Sequence, residues 1–431
     1  MGQQRTPAAK NLRRNGVRYA SMNGAAGTHI CIIVENQPVP FDRRVWQEAR
    51  ALRRAGYRVS IICPKGAPSE SNRDTVEGIE IYRHRSWKAD GRVGYFLEYG
   101  YALASELCLA ARVYRRAPFH ILQACNPPDT IFVIGLLFKL FGVRFVFDHH
   151  DLSPELYDVK FNQHGLIYRI VGLCERLTFK TADLAIATNE SYREIAIARG
   201  KMNPEQVVVV QTCADLAEVN QVQPNPELKR GKRHLVVYVG VMELQDGVRL
   251  LIESIEYLVN QRRRGDTQFV LIGFGGQLSQ LQAMVRQARL EDFVEFTGIL
   301  THERVGCYLS TADVCVAPDP QNALNDKCTM IKNLEYIAFG KPVVSYDLKE
   351  GRLALGEAAL YARPNDPVDF ARKIETLLES ESLRTALGAF GRKRVEEELN
   401  WTVQSGRLVN ALSRLLESKA DAVLGQPEME K

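Results

Sequence analysis

Two stretches of apolar sequence, each built from short strands alternating with helices, limit what this chain can fold into. In the first, "HICIIVE" (29–35) is a nearly continuous apolar run, "RRVWQEARALRRAG" (43–56) has helical periodicity and closes on Gly56, and "RVSIICP" (58–64) is apolar again. "HILQACN" (120–126), "RFVFDHHD" (144–151), "DLAIATN" (183–189) and "QVVVVQT" (206–212) continue it. Strands that are β-branched and apolar along their whole length, separated by helices, fit a parallel sheet covered on both faces. Residues 215–234 are polar, carry two prolines and end in basic residues, so they read as a linker. A second series follows: "LVVYVGV" (235–241), a helix near 247–260, "QFVLIGFGG" (268–276), a helix near 277–288, "VEFTGI" (294–299), "VCVAP" (314–318) and "PVVSYD" (342–347). The expected organisation is an α/β chain of two doubly wound domains, 28–215 and 235–395, joined by the linker 216–234. A C-terminal helix at 396–417 would pack back on the first domain, and a frayed tail would follow over 418–431.

Other classes are less well served. "DTIFVIGLLFKLFGVRFVFDHHD" (129–151) resembles a membrane span, but Lys139, Gly142 and Arg144 interrupt it. It falls short of the ~20 apolar residues a span needs. A buried helix (130–141), a glycine stop and a buried strand (143–148) fit better. The nine cysteines are scattered singly, without a Cys-x-x-Cys pair, which argues for a reducing compartment over a disulfide framework or zinc ribbon. The net charge of +5 does not demand a nucleic-acid partner. Residues 1–27 form a basic tail expected to be disordered. "MGQQRT" also fits the short myristoylation pattern. With no apolar segment of a secretory signal at the start, the expected location is cytoplasmic. Nothing in the sequence sets an oligomeric state.

In doubly wound sheets ligands bind beyond the carboxyl ends of the strands. Polar residues there are the candidates, in a cleft between the domains. Asn36 follows the first strand, and Asp42, Arg43 and Arg44 open the first helix, where cations oppose the helix dipole. Such cations either face a ligand or form a solvated basic turn. His150 and Asp151 close the strand "FDHHD"; they can orient a sugar or stabilise developing charge, or merely shape the turn before Ser153 and Pro154. Gly240 lies at one strand end, and Gly273 and Gly275 lie in "LIGFGG", loops that allow close backbone approach to a phosphate or base. In "NDKCTMIKNLEYIAFGKPVV" a helix is expected from near Thr329 and Met330, with Asn325, Asp326 and Lys327 as its approach. Free amides beside Lys327 would suit a diphosphate. Glu335, beside the apolar stripe of Ile331, Leu334 and Ala338, would accept from vicinal ribose hydroxyls or be a buried structural carboxylate.

"LEYIAFGKPVV", "FDRRVWQEARALRRAGYRVSIICP", "FDHHDLSPELY", "QDGVRLLIESI", "LIGFGG" and "FTGI" together resemble the retaining GT-B glycosyltransferases of the large family 4 group, over roughly residues 28–415. The resemblance implies the GT-B fold, two Rossmann-like domains facing a cleft. A nucleotide-sugar donor would be held mostly by the C-terminal domain as substrate, with no cofactor and no required metal. The acceptor would be a glycan, a small molecule or a lipid-linked sugar, the last implying peripheral contact at the inner membrane face. It further implies sugar transfer with retention at the anomeric carbon, in cell-surface polysaccharide or glycoconjugate synthesis. The segment 95–119 would suit interfacial docking, or be an ordinary core helix with a basic end.

Departures from the family pattern carry their own expectations. The first of two carboxylates eight positions apart falls at Lys327, with Glu335 as the second. The customary basic pair that clamps the diphosphate falls at Val241 and Asp246. Lys327 is expected to return the lost charge while Asp326 faces the sugar. The same departures also fit a catalytically silent GT-B subunit that scaffolds a partner; a GT-B nucleotide-sugar epimerase is a further alternative.

Overall fold

A computed structural model describes residues 27–86, 91–213, 219 and 221–424. Residues 1–26 of the basic tail with its myristoylation pattern, residues 216–218 and 220 at the start of the expected linker, and residues 425–431 of the expected frayed tail lie outside them.

The first series folds into β1 (His29–Ile33), β2 (Arg58–Pro64), β3 (Arg73–Val76), β4 (Ile79–His84), β5 (Ile121–Cys125), β6 (Arg144–His149), β7 (Leu184–Ala187) and β8 (Val207–Val209). They form one eight-stranded sheet in the order β3-β4-β2-β1-β5-β6-β7-β8, parallel except for the β3–β4 pair. The second series supplies β9 (His234–Val239), β10 (Thr267–Ile272), β11 (Val294–Gly298), β12 (Val314–Ala317), β13 (Val343–Tyr346) and β14 (Ala359–Ala362). These make a parallel six-stranded sheet, β11-β10-β9-β12-β13-β14. β3, β4 and β14 escaped the reading above because "RDTV" and "IEIYRH" mix charges into the run and "ALYA" is only four residues long.

Each sheet is covered on both faces. Helix α1 (Arg43–Arg54) starts where the Asp42 side chain accepts from the Val45 amide at 3.0 Å. Its buried Val45, Ala49 and Leu52 pack in one core with Ile30, Ile32 and Ile61. The same core takes in Trp401, Leu408 and Leu412 of the C-terminal helix Trp401–Leu424, so the end of the described chain crosses back onto the first domain. Polar contacts hold it there: Gln404 accepts from the Gln211 amide at 3.0 Å and Tyr57 meets Ser413 at 2.9 Å. The opposite face is covered by α2 (Gly91–Arg116), among others, through Ala110 and Val113.

The ambiguous stretch at 129–151 resolves into the short helix Phe132–Lys139 and the buried strand β6. Among the described residues no helix is long and apolar enough to cross a membrane. The helix expected from Thr329 begins later, at Ile331, with Met330 at its cap position and no side-chain cap. Thr329 instead faces the other domain, its hydroxyl accepting from Asn189 at 3.1 Å.

Candidate active site

The carboxyl ends of both sheets open onto one cleft of about 1730 Å³. On the N-terminal side it is lined by Asn36, Arg43, Arg44, His150 and Asp151, at the ends of β1 and β6 and the start of α1.

Beneath that wall Arg44 is buried. Its guanidinium meets Asp148 at 3.0 Å and Glu48 at 3.1 Å, and donates to the Val210 carbonyl and the Thr212 hydroxyl, both at 2.9 Å. Burial opposes ionisation of Asp148, but Arg44 and then His150 outweigh it and hold its pKa far below the usual carboxylate range. Glu48 goes the other way, pushed up by burial and by the neighbouring Asp148 charge. The His150 Nε2 lies 2.9 Å from Asp148 and 3.1 Å from Arg44 Nε. A nitrogen cannot donate to one and accept from the other, and the ionised Asp148 is the stronger claim on the Nε2 proton. Burial works against the imidazolium, yet Asp148 raises the His150 pKa above its ordinary value. His149, by contrast, points into the aromatic core against Phe179 and Tyr192, and burial pushes its pKa down to about 3. Asn126 fixes the turn by accepting from the His150 amide at 2.8 Å and donating to the Asp151 carbonyl at 2.7 Å.

The C-terminal wall is built from Gly240, Asp246, Gly273, Asp319 and the residues Thr329–Lys332 and Glu335. The uncapped start of the Ile331–Ala338 helix thus borders the cleft with free backbone donors. Lys332 in its first turn is largely buried, 2.7 Å from Asp319 and 3.9 Å from Asp246, over the Tyr238 ring. Burial opposes its charge, but Asp319 and Asp246 raise its pKa. Asp246 itself is pushed up to about 6, by burial first, against the pull of Lys332. The glycine loops lie against each other. A Cβ on Gly273 would sit 1.8 Å from the Gly240 carbonyl, and one on Gly275 would sit 2.3 Å from the Met242 carbonyl. Their smallness therefore serves packing between the two loops first, and Gly275 is not among the cleft residues.

Several expectations are corrected here. Lys327 does not face the cleft: its ammonium lies 2.9 Å from Glu155 of the other domain. Asp326 is turned away as well, its carboxylate accepting from the Lys349 amide at 2.9 Å. Arg44 lines the cleft but is committed to the buried carboxylates beneath it. Lys332 was missed; it stands beside Asp246, the position where a clamp cation was expected and not found. The sequence offered only a local hint, the i, i+3 spacing that puts Lys332 and Glu335 on one helix face. Glu335 lines the cleft, and Arg43 reaches it from the opposite wall at 2.5 Å, with a second contact to His302 Nδ1 at 3.1 Å.

Residues 42–213 match the glycosyl transferase 4-like domain, and residues 233–380 match the family described as glycosyl transferases group 1. The fold agrees with solved enzymes of this architecture. Sucrose-phosphate synthase from Thermosynechococcus elongatus superposes with a TM-score of 0.74 at 18% identity, over 91% of this chain and all of that one. The chain belongs to the GT-B glycosyltransferases. Its relatives include 2-deoxystreptamine glucosyltransferase of Streptomyces kanamyceticus, 23% identical over 73% of this chain and 82% of that protein. Alpha-D-kanosaminyltransferase of the same organism is 29% identical, but the match spans 35% of this chain and only 38% of the relative. Anabaena HepE, solved in complex with UDP, superposes with a TM-score of 0.64 at 14% identity, over 90% of this chain and 100% of that one.

Proposed function

We propose that this glycosyltransferase moves a sugar from a nucleoside-diphosphate donor to a hydroxyl acceptor with retention at the anomeric carbon. The observation that carries the reading is the start of the Ile331–Ala338 helix, where free amides, Lys332 and Glu335 share one wall of a cleft whose other wall presents His150. Departure of the diphosphate leaves negative charge on the phosphates and positive charge on the sugar carbon, so the protein's work is chiefly electrostatic. The helix amides and Lys332 receive the phosphates. Glu335 accepts from the ribose hydroxyls once Arg43 releases it. His150, braced by Asp148, and Asp151 orient the sugar. The leaving phosphate oxygen takes the acceptor proton on the same face, so no side-chain base is required. The acceptor, a glycan, a small hydroxylated molecule or a lipid-linked sugar, enters against the N-terminal wall at Asn36 and Arg43. A lipid-linked acceptor would bring the protein to the inner membrane face as a peripheral enzyme.

The test is a thermal-shift screen of nucleoside diphosphates and their sugars, followed by product analysis by proton NMR with the stabilising donor. The reading expects one nucleotide to stabilise the protein, and a product or hydrolysed sugar whose anomeric configuration is that of the donor. Inversion would refute retention. Nucleotide binding with no turnover on any acceptor or on water would favour the silent-subunit reading, which the occupation of Glu335 by Arg43 and the acid at position 246 also suit.

A further inference from the structure

A second group of ionisable side chains lies in the N-terminal domain, apart from the residues assigned to the donor. Glu35 follows β1, His84 ends β4, and Glu106 lies on α2, which packs over that face of the sheet. One donor atom from each falls within 4.8 Å of the others. Glu106 is fully buried, and it shares the inward stripe of α2 with Ala102, Ala110 and Val113, a place where an apolar residue would ordinarily stand. Neither of its carboxylate oxygens has a hydrogen-bond donor among the described residues, and Glu35 Oε2 and His84 Nε2 have no hydrogen-bond partner either. Leaving such groups buried and unpaired is strongly unfavourable.

The histidine makes the conflict specific. His84 Nδ1 lies 3.1 Å from the Arg85 carbonyl, which can only accept, so Nδ1 carries the proton. In the neutral ring Nε2 then carries a lone pair, and it stands 3.0 Å from Glu35 Oε2 without the alignment of a hydrogen bond. Acceptors from three chain segments thus converge without a donor side chain assigned to them among the described residues, so either protons or a cation must satisfy them.

We propose that Glu35, His84 and Glu106 bind one divalent first-row cation, zinc foremost, as a structural pin of the acceptor domain. One imidazole nitrogen and two carboxylates are a donor set such ions accept, and a backbone carbonyl on the other ring nitrogen is the usual support for a ligating histidine. Tetrahedral zinc bonds of 2.0–2.2 Å set ligand atoms roughly 3.3–3.6 Å apart. The His84–Glu35 separation of 3.0 Å is already close to that, and the remaining atoms, all within 4.8 Å of one another, need to contract by no more than roughly 1.5 Å. Entry is available: His84 lines a surface cavity of about 500 Å³, and the Glu35 side chain remains 13% exposed. The fourth position would hold water. The other compact group of this kind, Cys125, Asp148 and His150, needs no cation because the Arg44 guanidinium already contacts Asp148 and His150. Bound at Glu35, the ion would tie the end of β1 to β4 and α2, and so fix the start of the loop that carries Asn36 and Arg43 to the cleft.

The test uses the full-length protein stripped of metal with a chelator and titrated with Zn²⁺ and, separately, Co²⁺. One Zn²⁺ should bind and raise the melting temperature. Co²⁺ should give visible d–d absorption without a thiolate charge-transfer band, which separates this site from the nine cysteines. Glu106→Gln should weaken Zn²⁺ by at least about tenfold. Glu106→Met, which removes the buried charge altogether, should fold with a melting temperature insensitive to metal. Failure of the wild type to bind Zn²⁺ would mean that protons alone settle the cluster and would overturn the proposal. Unchanged metal binding in Glu106→Gln, or a thiolate band on Co²⁺, would overturn it equally. Neither readout involves donor binding or turnover, so the proposed transfer reaction stands or falls separately.

Discussion

Arg43 and Glu335 face each other across the cleft and meet in a 2.5 Å ion pair, the first from α1 and the second from the Ile331–Ala338 helix. The Arg43 side chain is 56% exposed, so the pair contributes only about 0.2–1 kcal/mol and is readily exchanged. A carboxylate held by Arg43 cannot also offer both oxygens to a ribose. Donor binding is therefore expected to move Arg43 from Glu335 to the phosphates. In Arg43→Ala, the bare nucleoside should bind as well as or slightly better than in the wild type, while the nucleoside diphosphate weakens severalfold. Calorimetry with both ligands checks this. A parallel loss for both would show that Arg43 supports the cleft in some other way.

Glu335→Ala should remove binding of the nucleoside as well as of its diphosphate, with the circular dichroism spectrum unchanged. Normal affinity in that variant would end the ribose assignment.

The two lysines near this helix are expected to separate cleanly. Lys332 borders the cleft and Lys327 is held by Glu155. A charge-assisted contact contributes about 1.5–3 kcal/mol, roughly ten- to hundredfold in affinity. Lys332→Met should lose that much for the diphosphate and little for the nucleoside. Lys327→Met should leave both affinities within about twofold and instead loosen the domain contact, read as faster proteolysis between the domains. The reverse pattern would restore Lys327 as the phosphate cation.

How much of this was legible in the sequence depends on the range of each interaction. The two sheets were visible because apolar strands and the stop at Gly56 are local signals. The cleft-lining positions of His150 and Glu335 were legible because strand ends and helix faces project from short windows. What Lys327 does was not, since its partner Glu155 lies 172 residues away. Lys332 takes its place from Asp319, 13 residues earlier but on a different strand end, and no periodicity announces that pairing. The glycines of "LIGFGG" read as ligand-facing, although the approach of the Gly240 and Met242 carbonyls already demands them. The role of Arg44 was hidden for the same reason: Asp148 reaches it only through the sheet order, which places β6 two strands from β1.

Arg44 carries the next prediction. It is 7% exposed and neutralises Asp148 beside a fully buried Glu48. Removing one partner of a buried ion pair costs about 3–5 kcal/mol. Arg44→Met should lose that much in urea denaturation. Arg44→Lys should recover only part, because an ammonium cannot span Asp148, the Val210 carbonyl and Thr212 together as a guanidinium does. A stability change within about 0.5 kcal/mol would mean the carboxylates are both protonated and need no cation.

Asp246 titrates at about 6 in the folded protein, above its ordinary 3.8. Between those values the unfolded carboxyl is ionised while the folded one keeps its proton, so its contribution makes stability fall as pH rises through about 4 to 6. Above that window the ionised carboxylate remains a cost and also competes with a phosphate for Lys332. Asp246→Asn should therefore melt higher than the wild type at pH 7.5, by a smaller margin at pH 5, and equally only once the pH falls below about 3.8. A nucleotide sugar, whose diphosphate diester does not titrate here, should bind the wild type more tightly at pH 5.5 than at 7.5, and the Asn variant equally at both. Unequal affinity in the variant would assign the pH dependence to another group, with His150 the first to examine. His150→Gln in the Asp246→Asn background then decides: if it abolishes the residual dependence, the imidazolium braced by Asp148 contributes to donor binding. If the dependence persists, a third group carries it and His150 has no part in the pH dependence of donor binding.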